Sequence, residues 1–258
     1  MLHESSLARL SAVATDPAAT LMDAALAVNV CIDEELDEAT VVDAIVRLKE
    51  QYAGQGGSEP WTFLRAVGFG GLPPADVVAG SRIDTLLESR RGLPITLAVL
   101  VVELASSAGI EARGINFPGH FLVRVGQTLV DPLALEVRTE SECLATLADD
   151  ADRSAAFADA GPREVLLRML NNLKVFHVGR AEFHRALEVV DCQLEVLPGH
   201  AGLVFEQGEY WLRLGSIQGA RAAFRRIVAG DGVINDAAVR VAARRRLAEL
   251  GDRSDTLH

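Results

Sequence analysis

Cysteine is scarce in this chain of 258 residues, which holds only Cys31, Cys143 and Cys192. Three is an odd number, and these are scattered without metal-ligand spacing, so the sequence offers neither a disulfide framework nor a zinc site. Each cysteine reads as a small buried apolar residue. Long apolar runs are missing too. The longest, Leu93 to Val102, is about ten residues long and contains Thr96, whereas a membrane span needs roughly 20. Positive charge is short as well: 25 Lys and Arg against 36 Asp and Glu leave a net charge of −11. That balance argues against general affinity for nucleic acid or anionic lipid, because phosphate contacts need a basic surface. The opening segment, MLHESSLARLSAV, carries acid early and lacks a basic-then-apolar signal, so a cytoplasmic protein is expected.

What the chain does have is apolar residues, 49% of the total, enough for a sizeable core. Residues 5 to 53 read as helices separated by an acidic turn, Asp33 to Glu38, with Val41, Val42, Ile45, Val46 and Leu48 at mostly helical spacing. Gly54 to Pro60 is a loop by composition, and Phe63 to Ser81 gives short pieces broken by Gly and Pro. Ser81 and Asp84 have the spacing of a capping box opening a helix over Ile83, Leu86 and Leu87. Arg90, Arg91 and Gly92 suit its C-terminal end. Pro94 suits the first turn of the next helix, where its missing N–H costs nothing. That helix, Ile95 to Ser107, is apolar on almost every side apart from Thr96 and Glu103, which predicts the central helix of the domain.

After Gly109 the periodicity becomes alternating. Gly126 and Gln127 read as a two-residue hairpin turn, so Val125 should face Thr128, Arg124 should face Leu129, and Val123 should face Val130. In this register His120, Leu122, Arg124, Leu129 and Asp131 share one face. His120 and Asp131 become diagonal neighbours, about 7 to 8 Å apart along the backbone. Two readings stay open. His120 either contacts a ligand or is structural, and Asp131 either orients His120 or forms a surface ion pair with Arg124.

The C-terminal third reads as helical and repeats. In two units of 34 residues, 167–200 and 201–234, Ala186 falls opposite Ala220, Val190 opposite Phe224 and Lys174 opposite Gly208. Period, small residue and large residue fit a tetratricopeptide-like pattern of paired helices, with 236–250 as a closing helix. Two units are fewer than the roughly three needed to bury a continuous core alone. Groove-lining candidates from this frame are Arg168, Asn171, Val175, Phe205, Glu209 and Leu212, a surface suited to a protein or peptide partner. The arginines between Arg221 and Arg246 read mainly as a solvated helix face. His177 and His184 lie seven apart without a third ligand, so no metal and no cofactor is expected.

Taken together, RRGLPITLAVLVVELASSAGIEARGINFPGHFLVR, the later LVDP, and VLLRMLNNLKVF entering helical repeats resemble the bacterial SirB-type family. The resemblance implies an α+β, mainly helical protein: a transglutaminase-like, papain-related core with a small antiparallel sheet, followed by tetratricopeptide-like repeats. The implied boundaries are 1–160 for the transglutaminase-like domain, with a helical part over 1–80 and a core over 81–140, and 163–250 for the repeats. The resemblance also makes His120 the catalytic histidine and Asp131 the residue that orients it. The family's thiol would stand near Pro94, yet no cysteine lies between Cys31 and Cys143, and the helix start offers only Thr96. A threonine hydroxyl is far less acidic than a thiol and needs a strict general base and an oxyanion hole. A degenerate, non-enzymatic interaction or regulatory module is therefore the first expectation. A hydrolase or acyltransferase using His120, Asp131 and a hydroxyl is the second. A small-ligand or peptide-binding cleft, with Arg91 and Asn116 as further contacts, is the third.

Overall fold

The computed structural model describes residues 4–57, 59–72, 76–148, 153 and 155–254. Ser58 of the Gly-rich loop and Pro73, Pro74 and Ala75 of the broken stretch lie outside the described residues. In chain order the elements are α1 (Glu4–Thr15), α2 (Leu21–Ile32), α3 (Glu38–Gly54), α4 (Pro60–Ala66), β1 (Gly70–Gly71), α5 (Val77–Gly80), α6 (Ile83–Ser89), β2 (Arg91–Gly92) and α7 (Pro94–Ser107). Then come β3 (Ala112–Ile115), β4 (Leu122–Val125), β5 (Thr128–Asp131), β6 (Glu136–Arg138), α8 (Glu140–Leu144) and β7 (Asp159–Ala160). The chain continues through α9 (Pro162–Gly179), α10 (Phe183–Val196), α11 (Ala201–Arg213), α12 (Ile217–Ala229) and α13 (Ala237–Ser254). The protein is mainly helical with a small antiparallel sheet, and it forms two compact units. One is Ala12–Met169, and the other joins the described residues up to Ser11 to those from Leu170 onward.

In the first unit α7 is the centre, as its all-round apolar sequence predicts. Ile95, Leu97, Ala98, Val99, Leu100, Val101, Leu104 and Ala105 are all buried, and the helix packs against α2, α3, α4, α6, β3 and β4. Its one acid, Glu103, takes Lys49 of α3 as a partner at 2.5 Å. The expected capping box at Ser81 and Asp84 does not form. Arg82 is the N-cap, the Ser81 hydroxyl donates to Val77 O, and Asp84 accepts from Arg82 Nε. A residue distant in sequence caps the helix instead: the carboxamide of buried Asn29 accepts from Ile83 N–H at 2.7 Å and donates to Ser81 O at 2.6 Å. At the other end Arg90 occupies the left-handed cap position, φ 58°. Gly92 is needed for space, since a Cβ there would lie 2.7 Å from the Thr96 hydroxyl and 2.8 Å from Leu86.

The five-stranded sheet runs β6-β5-β4-β3-β7, antiparallel throughout. The β4–β5 hairpin has the register read from its turn: Val125 faces Thr128, Arg124 faces Leu129 and Val123 faces Val130. Gly126 supplies the positive φ, +55°, that the tight turn requires. His120 differs from expectation. It lies in a bend ahead of β4 and not on the strand, because Pro118 and Gly119 (φ +76°) turn the chain and His120 N–H donates to Phe117 O.

In the second unit successive helices pack in sequence order, α10 on α11, α11 on α12, α12 on α13, with α13 also reaching α11. The small and large residues picked out by the 34-residue frame are buried: Ala186, Ala220, Val190 and Phe224 are all 0% exposed. Gly208 lets α12 approach, since a Cβ there would meet the Phe224 ring at 2.5 Å. At Lys174, where the frame calls for a small residue, the side chain is 9% exposed and its ammonium is met by Glu206 at 2.6 Å, which offsets the cost of burying the charge.

Candidate functional site

The site is built where one face of the sheet meets α8. Leu122 and Leu129 of that face pack with Ile115, Phe117, Cys143 and Ala156, and Arg124 of the same face reaches Glu140 of α8 at 2.7 Å. α8 starts here because Thr139 and Glu142 form a reciprocal capping box, with bonds of 2.8 to 3.2 Å. Between α8, the strand ends and the turn before β4 lies a cavity of about 130 Å³, lined by Phe117, His120, Leu122, Asp131, Arg138, Glu142, Cys143 and Thr146.

His120 and Asp131 therefore open onto one cavity, yet they do not bond to each other. Asp131 Oδ1 accepts from Leu133 N–H at 2.9 Å, and Oδ2 stands 3.8 Å from Arg138. That pair is half-exposed and loose, hence of small energetic value. Asp131 does not pair with Arg124, the alternative raised from the sequence. The His120 ring packs against Phe117, centroid to centroid 6.5 Å, and its nitrogens make no hydrogen bond among the described residues.

Cys143, like Arg138, Glu142 and Thr146, is a member of the cavity that sequence reasoning missed. Its thiol is 8% exposed. Burial pushes its pKa up, Arg138 lowers it in part, and Asp131 raises it further. It is thus a protonated thiol at neutral pH, the reverse of an activated nucleophile. Its only sequence signal was the T-x-x-E box that starts α8, which marks a helix and not a site. The box also occupies Glu142, whose carboxylate is held below the usual range by hydrogen bonds from the Thr139 N–H and hydroxyl.

Thr96, the hydroxyl candidate, stands elsewhere. It is 0% exposed, its hydroxyl is shared between Gly80 O at 2.9 Å and Leu93 O at 3.0 Å, and it does not line the His120 cavity. It ties the first turn of α7 to the Gly80 carbonyl at the end of α5. Arg91, exposed on β2, lies with its guanidinium over Gly70 and also outside the cavity. Asn116 and Arg168 were read as parts of two different surfaces, and the fold joins them. Arg168 Nη1 donates to Asn116 Oδ1 at 2.7 Å and to Phe117 O at 3.3 Å, with its guanidinium 5.9 Å from the Phe121 ring centre. Burial lowers the Arg168 pKa. This clamp holds both flanks of the turn that carries His120.

The remaining groove candidates do not form one open surface. Asn171 and Val175 are exposed. Phe205 and Leu212 pack into the core of the helical unit, Phe205 at 5.2 Å from Phe224, and Glu209 is bonded to Arg246 of α13 at 2.7 and 2.8 Å. α13 covers this side of α11, because its Arg246, Ala243 and Leu250 complement the acid and the apolar residues there. Among the described residues no three His, Cys, Asp or Glu side chains gather to hold a metal ion.

The segment that carries this geometry matches a known family. Residues 62–171 fit the family model of the transglutaminase-like superfamily. These residues form a transglutaminase-like domain. A UPF0162 protein of Xylella fastidiosa strain 9a5c is 31% identical over 154 residues, 55% of each chain. A UPF0162 protein of Pseudomonas aeruginosa is 32% identical over 123 residues, 45% of this chain and 46% of its own. The chain thus spans about half the length of the curated relatives it matches. No solved structure matches. Thr96, His120, Asp131, Cys143 and Arg168 all lie inside the matched stretch.

Proposed function

We propose that this is a SirB-type protein in which a transglutaminase-like domain, over roughly residues 1–160, no longer turns over substrate. Tetratricopeptide-like helices follow over 163–250, and the whole acts as an interaction or regulatory module. Its His120–Asp131 cavity recognises a small polar group on a partner. The observation that carries the reading is the fate of the nucleophiles: the Thr96 hydroxyl is sealed and committed to carbonyl oxygens, and the Cys143 thiol beside His120 is kept protonated by burial. A cavity of about 130 Å³ admits a group of a few heavy atoms, and His120 and Arg138 can donate to such a group while Asp131 accepts.

The test pairs turnover with binding. A glutamine-containing peptide, with and without a primary amine, is expected to give no product above a His120→Ala control, while His120→Ala weakens capture of a partner by the folded protein. Turnover that vanishes in both His120→Ala and Thr96→Ala would establish a threonine-type enzyme. Turnover that vanishes in His120→Ala and Cys143→Ser would establish a cysteine-type one. Either result sinks the non-catalytic reading.

A further inference from the structure

The helical unit contains a larger concavity, about 770 Å³, which the reading above does not use. α10 contributes Leu187, Leu194 and three acids, α11 contributes Trp211, α12 contributes Arg226, and Leu7 of α1 completes the apolar lining. Its size falls within the roughly 300–1,000 Å³ of sites that enclose several side chains or a small ligand.

The acids are Glu188, Asp191 and Glu195, three and four residues apart along α10, so they form one stripe beside the apolar residues. Glu188 is met by Arg185 at 3.0 Å, whereas Asp191 and Glu195, like charges four residues apart, repel one another, and Arg226 is the one arginine or lysine in the lining. Asp191 accepts from the Gln207 carboxamide at 2.8 Å. Solvent still reaches it, but the concave surround removes part of its hydration and its pKa is raised, with Glu188 and Glu195 adding to the shift. Glu195 is exposed and has no hydrogen bond or ion pair among the described residues. An apolar lining beside two carboxylates, Asp191 and Glu195, with no cation at ion-pair distance among the described residues has one chemical complement.

We propose that this concavity docks a peptide segment of a partner protein, one that presents Lys or Arg side chains next to large apolar ones. The apolar side chains cover Leu187, Leu194 and Trp211, and the cations approach Asp191 and Glu195 and relieve their mutual repulsion. Nucleic acid and anionic lipid carry the wrong sign for this surface. The proposal does not depend on the His120 cavity, so either one can fail alone.

The chain has two tryptophans, and Trp61 belongs to the other unit, so a Trp61→Phe background leaves Trp211 as the reporter. Three short synthetic peptides are titrated into this full-length protein: one of Leu and Arg, one of Leu and Glu, one of Ser and Arg. Only the Leu–Arg peptide is expected to give a saturable change in Trp211 emission. Glu195→Gln combined with Asp191→Asn should weaken it about tenfold or more with the circular dichroism spectrum unchanged, and His120→Ala should leave it intact. Three results overturn the proposal: no saturable response to the Leu–Arg peptide, equal binding of the Ser–Arg peptide, or full binding by the double variant. Self-association of the protein that the double variant abolishes would assign the surface to a second copy and overturn it too.

Discussion

The Thr96 hydroxyl and the Cys143 thiol are reactive group types that the fold has put to structural use. For Thr96 the cost of removal is its own bond to the Gly80 and Leu93 carbonyls, each of which keeps a backbone donor, Leu93 N–H and Leu97 N–H. Thr96→Val should therefore lower stability by about 0.5–1.5 kcal/mol, while Thr96→Ser keeps most of it. Urea unfolding midpoints read this directly, and an unchanged midpoint in Thr96→Val would refute a stabilising tie between α7 and the Gly80 carbonyl. A charged cluster gives the second prediction at this scale. Arg82 donates to Asp84 through Nε at 3.0 Å and reaches Asp33 at 2.7 Å, and the Arg82 hydrogen bond holds the Asp84 carboxyl below the ordinary value of 3.8. Because the folded-state pKa is the lower one, the unfolded chain takes up the proton first. The stabilisation is thus present above pH 3.8 and is lost as the pH falls through the folded value. Unfolding followed between about pH 5 and 2 should show this acid loss, with a shallower slope in Asp84→Asn. An identical slope would mean that the pair does not contribute.

At the scale of elements, close approach decides more than propensity. Gly208 sits inside α11, where alanine would be the better helix former by about 1 kcal/mol, but a Cβ there meets the Phe224 ring at 2.5 and 2.8 Å. Gly208→Ala is expected to destabilise the helical unit by about 1–3 kcal/mol through overpacking, and Phe224→Leu in the same chain should recover part of the loss. Thermal unfolding of the single and double variants distinguishes this from an additive pair of core losses. The same reasoning applies to α6: Asn29, fifty-four residues before Ile83, supplies its cap, so a local box at Ser81 was unnecessary.

For the whole molecule the relevant quantity is charge and how it is spent. Three of the seven arginines from Arg221 to Arg246 are engaged within their own unit: Arg221 donates to Leu250 O at 2.6 Å, Arg245 meets Glu249 at 3.0 Å, and Arg246 meets both Glu209 and Glu249. With these occupied and a net charge of −11, duplex DNA should not be retarded by the protein at about 0.15 M salt. A band shift that Arg225→Glu or Arg244→Glu removes would show a basic surface that the charge balance conceals. No described helix is long and apolar enough to cross a membrane.

Much of this is legible in the sequence. The central helix, the β4–β5 register, and the burial of Ala186, Val190, Ala220 and Phe224 follow from local rules, since periodicity, a Gly-first turn and a 34-residue frame each act over a few neighbouring residues. What the sequence could not reveal is which distant side chains meet. Cys143 enters the His120 cavity because α8 folds back over one sheet face, and no spacing rule joins a helix cysteine to a turn histidine. Arg168 clamps Asn116, fifty-two residues earlier, and α13 covers the α11 residues that a repeat frame alone leaves open. Residue periodicity determines which face of an element is buried, but only the packing of whole elements decides which groups share a cavity and which hydroxyl is left with no proton to spare.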